Sequence, residues 1–169
     1  MKASERRIEP AASVLFVCLG NICRSPTAEA VFRAAAARAG FGSRVRAASA
    51  GLGGWHNGSP PDRRAIDAAR RRGYDLSALR ARKVDVADFG RFGWIVAMDD
   101  DILSALTAMK PPGFDGHLGL LLDFTPELGV REVPDPYYGA PDGFDRVLDL
   151  VEQGTAALLA RLLPTLERR

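Results

Sequence analysis

Cysteine, histidine and lysine are scarce in this chain, and each scarcity excludes something. Of 169 residues, two are cysteine and two are histidine, while lysine is confined to Lys2, Lys83 and Lys110 beside abundant arginine. Cys18 and Cys23 share one short segment, so no disulfide scaffold is available. Their C-x4-C spacing is neither the C-x-x-C of a redox site nor half of a zinc site. His56 and His117 are too few and too scattered for a zinc centre or a histidine nucleophile. No stretch approaches the ~20 apolar residues of a membrane span. The opening M-K-A-S-E-R-R-I-E-P-A-A has charge and proline where a signal peptide needs an apolar run. A net charge of +2 gives no reason to invoke nucleic acid or an anionic membrane. The expectation is a cytoplasmic protein with neither of those partners, in a compartment that keeps its thiols reduced.

What is present is an ordinary globular composition, 47% hydrophobic and 26% charged, in a length that suits one domain. Short apolar runs alternate with helical patterns, which predicts an α/β fold. The expected architecture is a single-domain, doubly wound sheet of about four parallel strands with helices on both faces. Strands are expected at Ser13–Val17, Val45–Ser49, Trp94–Met98 and Leu118–Leu122, with residues 1–12 a flexible tail and the domain over 13–165. Helices are expected from the Ser25-Pro26 region to Ala39, from Ser59 to Arg72, from Asp100 to Met109 and from Pro141 to Leu163. The last carries Phe144, Val147, Leu148, Val151, Leu158, Leu159 and Leu162 at three- and four-residue steps, one buried stripe.

The most informative segment is V-L-F-V-C-L-G-N-I-C-R-S-P-T-A-E, Val14 to Glu29. An apolar strand runs into a turn and then a helix start, with Cys18 at the strand end, Arg24 six positions on and Ser25 directly after it. Gly20 and Asn21 tolerate the unusual backbone angles of a loop whose N–H groups curl around an anion. The helix start aims its positive end and unpaired donors at the same place. Both effects favour a thiolate at Cys18, the form that attacks phosphorus. Arg24 in a first helical turn is badly placed for a cation unless an anion sits beside it. Ser25-Pro26 suits an N-cap followed by proline, and Ser25 is equally suited to donate to the Cys18 sulfur.

The string C-L-G-N-I-C-R-S-P-T-A-E resembles the signature of the low-molecular-weight protein tyrosine phosphatases. Asp135-Pro136-Tyr137-Tyr138-Gly139 resembles the family segment that holds the general acid. Ser49-Ala50-Gly51, Trp55-His56, Ala81-Arg82-Lys83-Val84 and Ala97-Met98-Asp99 follow in family order, so the likeness covers about Ser13 to Leu163. It implies a phosphate-binding loop after the first strand and hydrolysis of a phosphotyrosine-containing protein without cofactor or metal. In that scheme Cys18 is the nucleophile, Arg24 the phosphate clamp with the backbone of Leu19 to Arg24, and Asp135 the acid and then the base. Pro134 and Pro136 hold the Asp135 turn extended. Trp55, Tyr137 and Tyr138 are candidates for an aromatic slot, with Leu19 and Ile22 as its floor. Cys23 is either a resolving thiol for an oxidised Cys18 or an inert packed one.

Two features depart from the resemblance: Leu79 and Arg80 stand where a histidine is common, and Ile102 replaces an asparagine. Asp99-Asp100-Asp101 after an apolar strand resembles the D-x-D of magnesium phosphohydrolases, but Leu103 stands where those sites want a hydroxyl. Asp99 is expected instead to order the loop from behind. Two alternatives share the fold. Thioredoxin-linked arsenate reductases use cysteines far downstream, and none follows Cys23. Protein-arginine phosphatases carry threonine at the loop position of Ile22.

Overall fold

The first strand, β1 (Ala12–Cys18), is buried along nearly its whole length. Such a strand needs cover on both faces, which only a central position provides. The computed structural model describes residues 9–168. β1 lies between β2 (Val45–Gly51) and β3 (Trp94–Ala97), and β4 (His117–Leu120) closes the far edge in the order β2-β1-β3-β4, all parallel. Side chains alternate across the pleat. Val14, Phe16 and Cys18 enter one core with α1 (Arg24–Arg38), α2 (Arg63–Arg71) and α5 (Gly143–Glu167). Leu15 and Val17 enter the other with the short α3 (Asp88–Arg91) and α4 (Asp100–Met109). This is the expected doubly wound arrangement. On the first face Phe16 meets Phe32 edge-on at 5.7 Å, welding α1 to the sheet.

The chain leaves β1 toward β2 on one side, and β3 adds on the other. A crevice therefore opens at the C-terminal end of β1, the switch point where open α/β sheets bind ligands.

Several boundaries differ from expectation for local reasons. β1 starts at Ala12, and the Ala11 N–H also donates to Arg44 O at 2.8 Å; residues 1–8 of the expected tail lie outside the described residues. α2 starts at Arg63 because Pro60 and Pro61 hold the preceding residues extended. Asp62 then caps it by accepting from Arg64 N. β4 stops at Leu120, since Leu121–Phe124 winds into a 3-10 turn. α3 is too short to leave a periodic signal. Ser25 is no N-cap: α1 begins at Arg24, with Cys23 in the cap position and no side-chain cap. Among the described residues no helix is long and apolar enough to cross a membrane.

Candidate active site

At the end of β1 the loop from Cys18 to Ser25 folds back on itself. Asn21 takes the left-handed conformation, φ 57°, where a short polar side chain is among the few tolerated. Gly51, at the end of β2, lets the loop lie against the sheet: a Cβ there would approach Leu19 O to 2.9 Å and Asn21 N to 3.0 Å. Above this loop is a cleft of about 330 Å³. Cys18, Leu19, Gly20, Ile22, Cys23, Arg24, Trp55, Asp135, Tyr137 and Tyr138 all line it, together with His56. Asn21 and Ser25 do not; both are buried behind the loop.

Their burial serves the sulfur. Asn21 Oδ1 accepts the Arg82 N–H at 3.0 Å. That bond turns the amide so that Nδ2 donates to Ser25 Oγ at 2.8 Å and Ser49 Oγ at 3.0 Å. Ser49 in turn donates to Glu29 at 2.8 Å. Ser25 already accepts from Asn21, so its single proton goes to Cys18 Sγ at 2.9 Å or to Ala50 O at 3.3 Å. Sulfur is the nearer partner and, when negative, the stronger acceptor. Donation thus runs from the Arg82 N–H to Asn21 and then outward from the Asn21 amide along two branches, through Ser25 to the sulfur and through Ser49 to Glu29. Burial pushes the Glu29 carboxyl above its ordinary range, against the pull of the Ser49 hydroxyl and of Arg33, paired with it at 2.9 Å. Burial first, then Asp62, raises the Cys23 thiol far above the ordinary range, so it stays protonated at neutral pH.

Arg24 is 3% exposed, and its charge is met on both sides. Nη1 donates to Asp99 Oδ2 at 2.6 Å and to Val133 O at 3.0 Å. Nη2 is the side turned to Asp135, whose Oδ2 is 3.7 Å away. Asp99 also caps α4, its Oδ1 accepting from Ile102 N at 2.9 Å. The first acid of the D-x-D look-alike is therefore engaged elsewhere, Asp99 with Arg24. The second, Asp101, is exposed on the first turn of α4, and Asp100 between them pairs with Arg131 at 3.0 Å.

Asp135 reaches the cleft because the irregular segment before it is pinned to the β3–α4 junction. Val133 is fully buried, and its N–H donates to Met98 O at 2.9 Å. Glu132 accepts the Asp100 N–H at 2.8 Å. The Asp135 carboxyl is partly exposed and accepts the Tyr137 N–H at 3.0 Å, a local turn that fixes its aim. The Tyr137 and Tyr138 rings meet edge to face at 4.7 Å, and Trp55 stands 72% exposed at the mouth.

Sequence reasoning passed over the Glu29–Ser49 end of the polar chain, the Arg82 N–H, His56 and the Asp62–Arg64 pair beside Tyr137. One signal was available for Glu29, an acid inside an alanine-rich helix that turns out buried. A backbone N–H such as that of Arg82 leaves no trace in residue identity.

Comparisons with known proteins converge on one family. The family model described as low molecular weight phosphotyrosine protein phosphatase matches residues 13–167. The low molecular weight protein-tyrosine-phosphatase YfkJ of Bacillus subtilis (strain 168) is 43% identical over 150 residues, covering 89% of this chain and 95% of that protein. The crystal structure of a protein tyrosine phosphatase from Entamoeba histolytica with Hepes in the active site superposes with a TM-score of 0.87 at 37% identity, covering 90% of this chain and 97% of that one. A Drosophila arginine phosphatase has the same fold with a TM-score of 0.82 at 28% identity, covering 88% of this chain and 96% of that one.

Proposed function

The chain belongs to the low molecular weight phosphotyrosine protein phosphatase family and is thereby a phosphoric monoester hydrolase, and we propose that it hydrolyses phosphotyrosine in proteins in two steps through Cys18. In the first step the Cys18 thiolate attacks phosphorus in line with the phenolic oxygen. Arg24 and the loop N–H groups hold the equatorial oxygens as charge shifts, and Asp135 gives the leaving phenolate its proton. The P–O bond breaks as the S–P bond forms. In the second step Asp135, now a carboxylate, takes a proton from water as the water attacks the cysteinyl-phosphate. The sulfur leaves as thiolate, and inorganic phosphate is released. Ser25 eases that departure by donating to sulfur. The scheme runs on the chain's own residues without metal, and a reducing cytoplasm suits it.

The observation that carries this reading is the convergence of Cys18, Arg24 and Asp135 on one cleft with Tyr137 and Tyr138 on its wall. A tyrosyl phosphate stands far from its peptide backbone, so a cleft with aromatic walls selects for it over a seryl phosphate. The similarity to an arginine phosphatase keeps phosphoarginine as the competing substrate; the isoleucine at position 22 in the loop favours the aryl ester.

Turnover of phosphotyrosine, phosphoserine and phosphoarginine peptides, measured side by side with and without EDTA, tests the proposal. Phosphotyrosine is expected to dominate, chelator to have no effect, and Cys18→Ser to abolish turnover. Asp135→Ala is expected to lower phosphotyrosine turnover by roughly 10²- to 10⁴-fold. A preference for phosphoarginine, or activity retained in Cys18→Ser, overturns it.

A further inference from the structure

The segment that carries Asp135 and Tyr137 has no helix or strand of its own between Gly129 and Asp142. A ring on such a segment needs an external support to present one face reproducibly. Arg64, on the first turn of α2, provides one. Its guanidinium carbon lies over the Tyr137 ring at 5.4 Å and over the Phe144 ring at 4.7 Å, so the cation spans the cleft wall and the start of α5. Asp62 holds the guanidinium flat by a two-point contact, Nε to Oδ1 at 3.0 Å and Nη2 to Oδ2 at 2.9 Å. Asp62 is itself tied to the phosphate loop, its N–H donating to Ile22 O at 2.8 Å. A continuous path therefore runs from the loop backbone through Asp62 and Arg64 to the Tyr137 ring.

We propose that Arg64 is a positioning residue for substrate selection: clamped by Asp62 to the phosphate loop, it sets the Tyr137 ring at the distance from Cys18 that an aryl phosphate requires. This rests on the phosphotyrosine reading of the site. Arginine suits the task because its planar fork engages one carboxylate edge-on while its faces stack on rings. Lysine keeps the charge without that geometry. The role predicts a specific asymmetry. Loss of Arg64 weakens handling of substrates that have a ring and spares those that do not, because the phosphate cradle from Cys18 to Arg24 does not include it.

The test compares wild type, Arg64→Met and Arg64→Lys on phosphotyrosine and on acetyl phosphate, which lacks a ring. Calorimetric binding of phenylphosphonate and methylphosphonate runs in parallel, with melting temperature as a control for folding. Arg64→Met is expected to raise KM for phosphotyrosine about tenfold with a smaller change in kcat, and Arg64→Lys to fall between it and wild type. Acetyl phosphate kinetics are expected to stay within about twofold of wild type. The preference for phenylphosphonate over methylphosphonate shrinks by the same factor as the phosphotyrosine effect. A parallel loss on both substrates, or an undiminished phenylphosphonate preference in Arg64→Met, overturns the role of Arg64. The phosphonate arm decides this even if wild type fails to hydrolyse phosphotyrosine, an outcome that sinks the parent reading alone.

Discussion

Asp99 Oδ2 lies 2.6 Å from Arg24 Nη1, which leaves the other amino group of the guanidinium turned toward Asp135. A buried arginine held from behind keeps one face for the substrate without reorganising when phosphate arrives, the condition under which fixed charge stabilises a transition state best.

Asp99→Asn keeps the oxygen that caps α4 and removes the charge that holds Arg24. A charge-assisted hydrogen bond contributes about 1.5–3 kcal/mol, so kcat/KM is expected to fall roughly tenfold to a hundredfold. Helix content by circular dichroism should stay unchanged. Steady-state kinetics on an aryl phosphate checks the first outcome, and unaltered kinetics removes Asp99 from the account.

Ser25→Ala deletes the donor to sulfur and leaves the rest of the loop in place. The second step suffers more than the first, because the leaving sulfur loses the partner that stabilises its charge. Cysteinyl-phosphate is therefore expected to accumulate, giving a larger burst and a turnover rate about tenfold slower. Rapid-quench measurement with trapping of the phosphoenzyme distinguishes this from a general loss of activity.

Gly51→Ala places a methyl against the carbonyl of Leu19 and the amide of Asn21, both backbone atoms with little freedom to yield. The expected result is a stability loss of about 1–3 kcal/mol together with collapse of activity. Urea denaturation and vanadate affinity read the two effects separately.

His117 provides a prediction about pH. It stacks on Trp94 at 4.9 Å and beside Phe124 at 5.3 Å, and its Nε2 is buried with no hydrogen-bond partner among the described residues. Burial lowers its pKa below the ordinary 6.5, with Asp123 pulling upward and Arg161 adding to the fall. The unfolded chain thus takes up the proton before the folded one does. Stability is fully present above pH 6.5 and falls as the pH drops through that value. His117→Phe is expected to flatten this part of the stability curve, read by urea denaturation between about pH 7 and pH 5. An unchanged slope in the variant assigns the dependence to other groups.

Much of the fold was legible because its signals are local. An apolar run such as Val14–Val17 announces a buried strand, and Gly40 and Gly73, both at positive φ, mark helix ends. Boundaries shifted where a neighbour competes with periodicity, as when Pro60 and Pro61 delay α2 or Leu121 turns away from β4. Ser25 shows the limit well. Its place before a proline reads as a cap, yet a buried hydroxyl goes where a partner stands, and that partner is seven residues earlier, at Cys18.

By itself the sequence determined which groups the loop brings together, because a thiol, an arginine and a helix start lie within a few residues of one another and bring their own geometry. It determined too that the central strands must be covered on both faces. Only the tertiary structure decided which way protons run behind the sulfur, what holds Arg24 from the rear and what braces Tyr137. Those contacts join residues 61, 75 and 73 positions apart, Asn21 to Arg82, Arg24 to Asp99 and Arg64 to Tyr137. No local propensity encodes them; they exist because a twisted sheet carries distant loops to the same edge and burial leaves each polar group there one partner within reach.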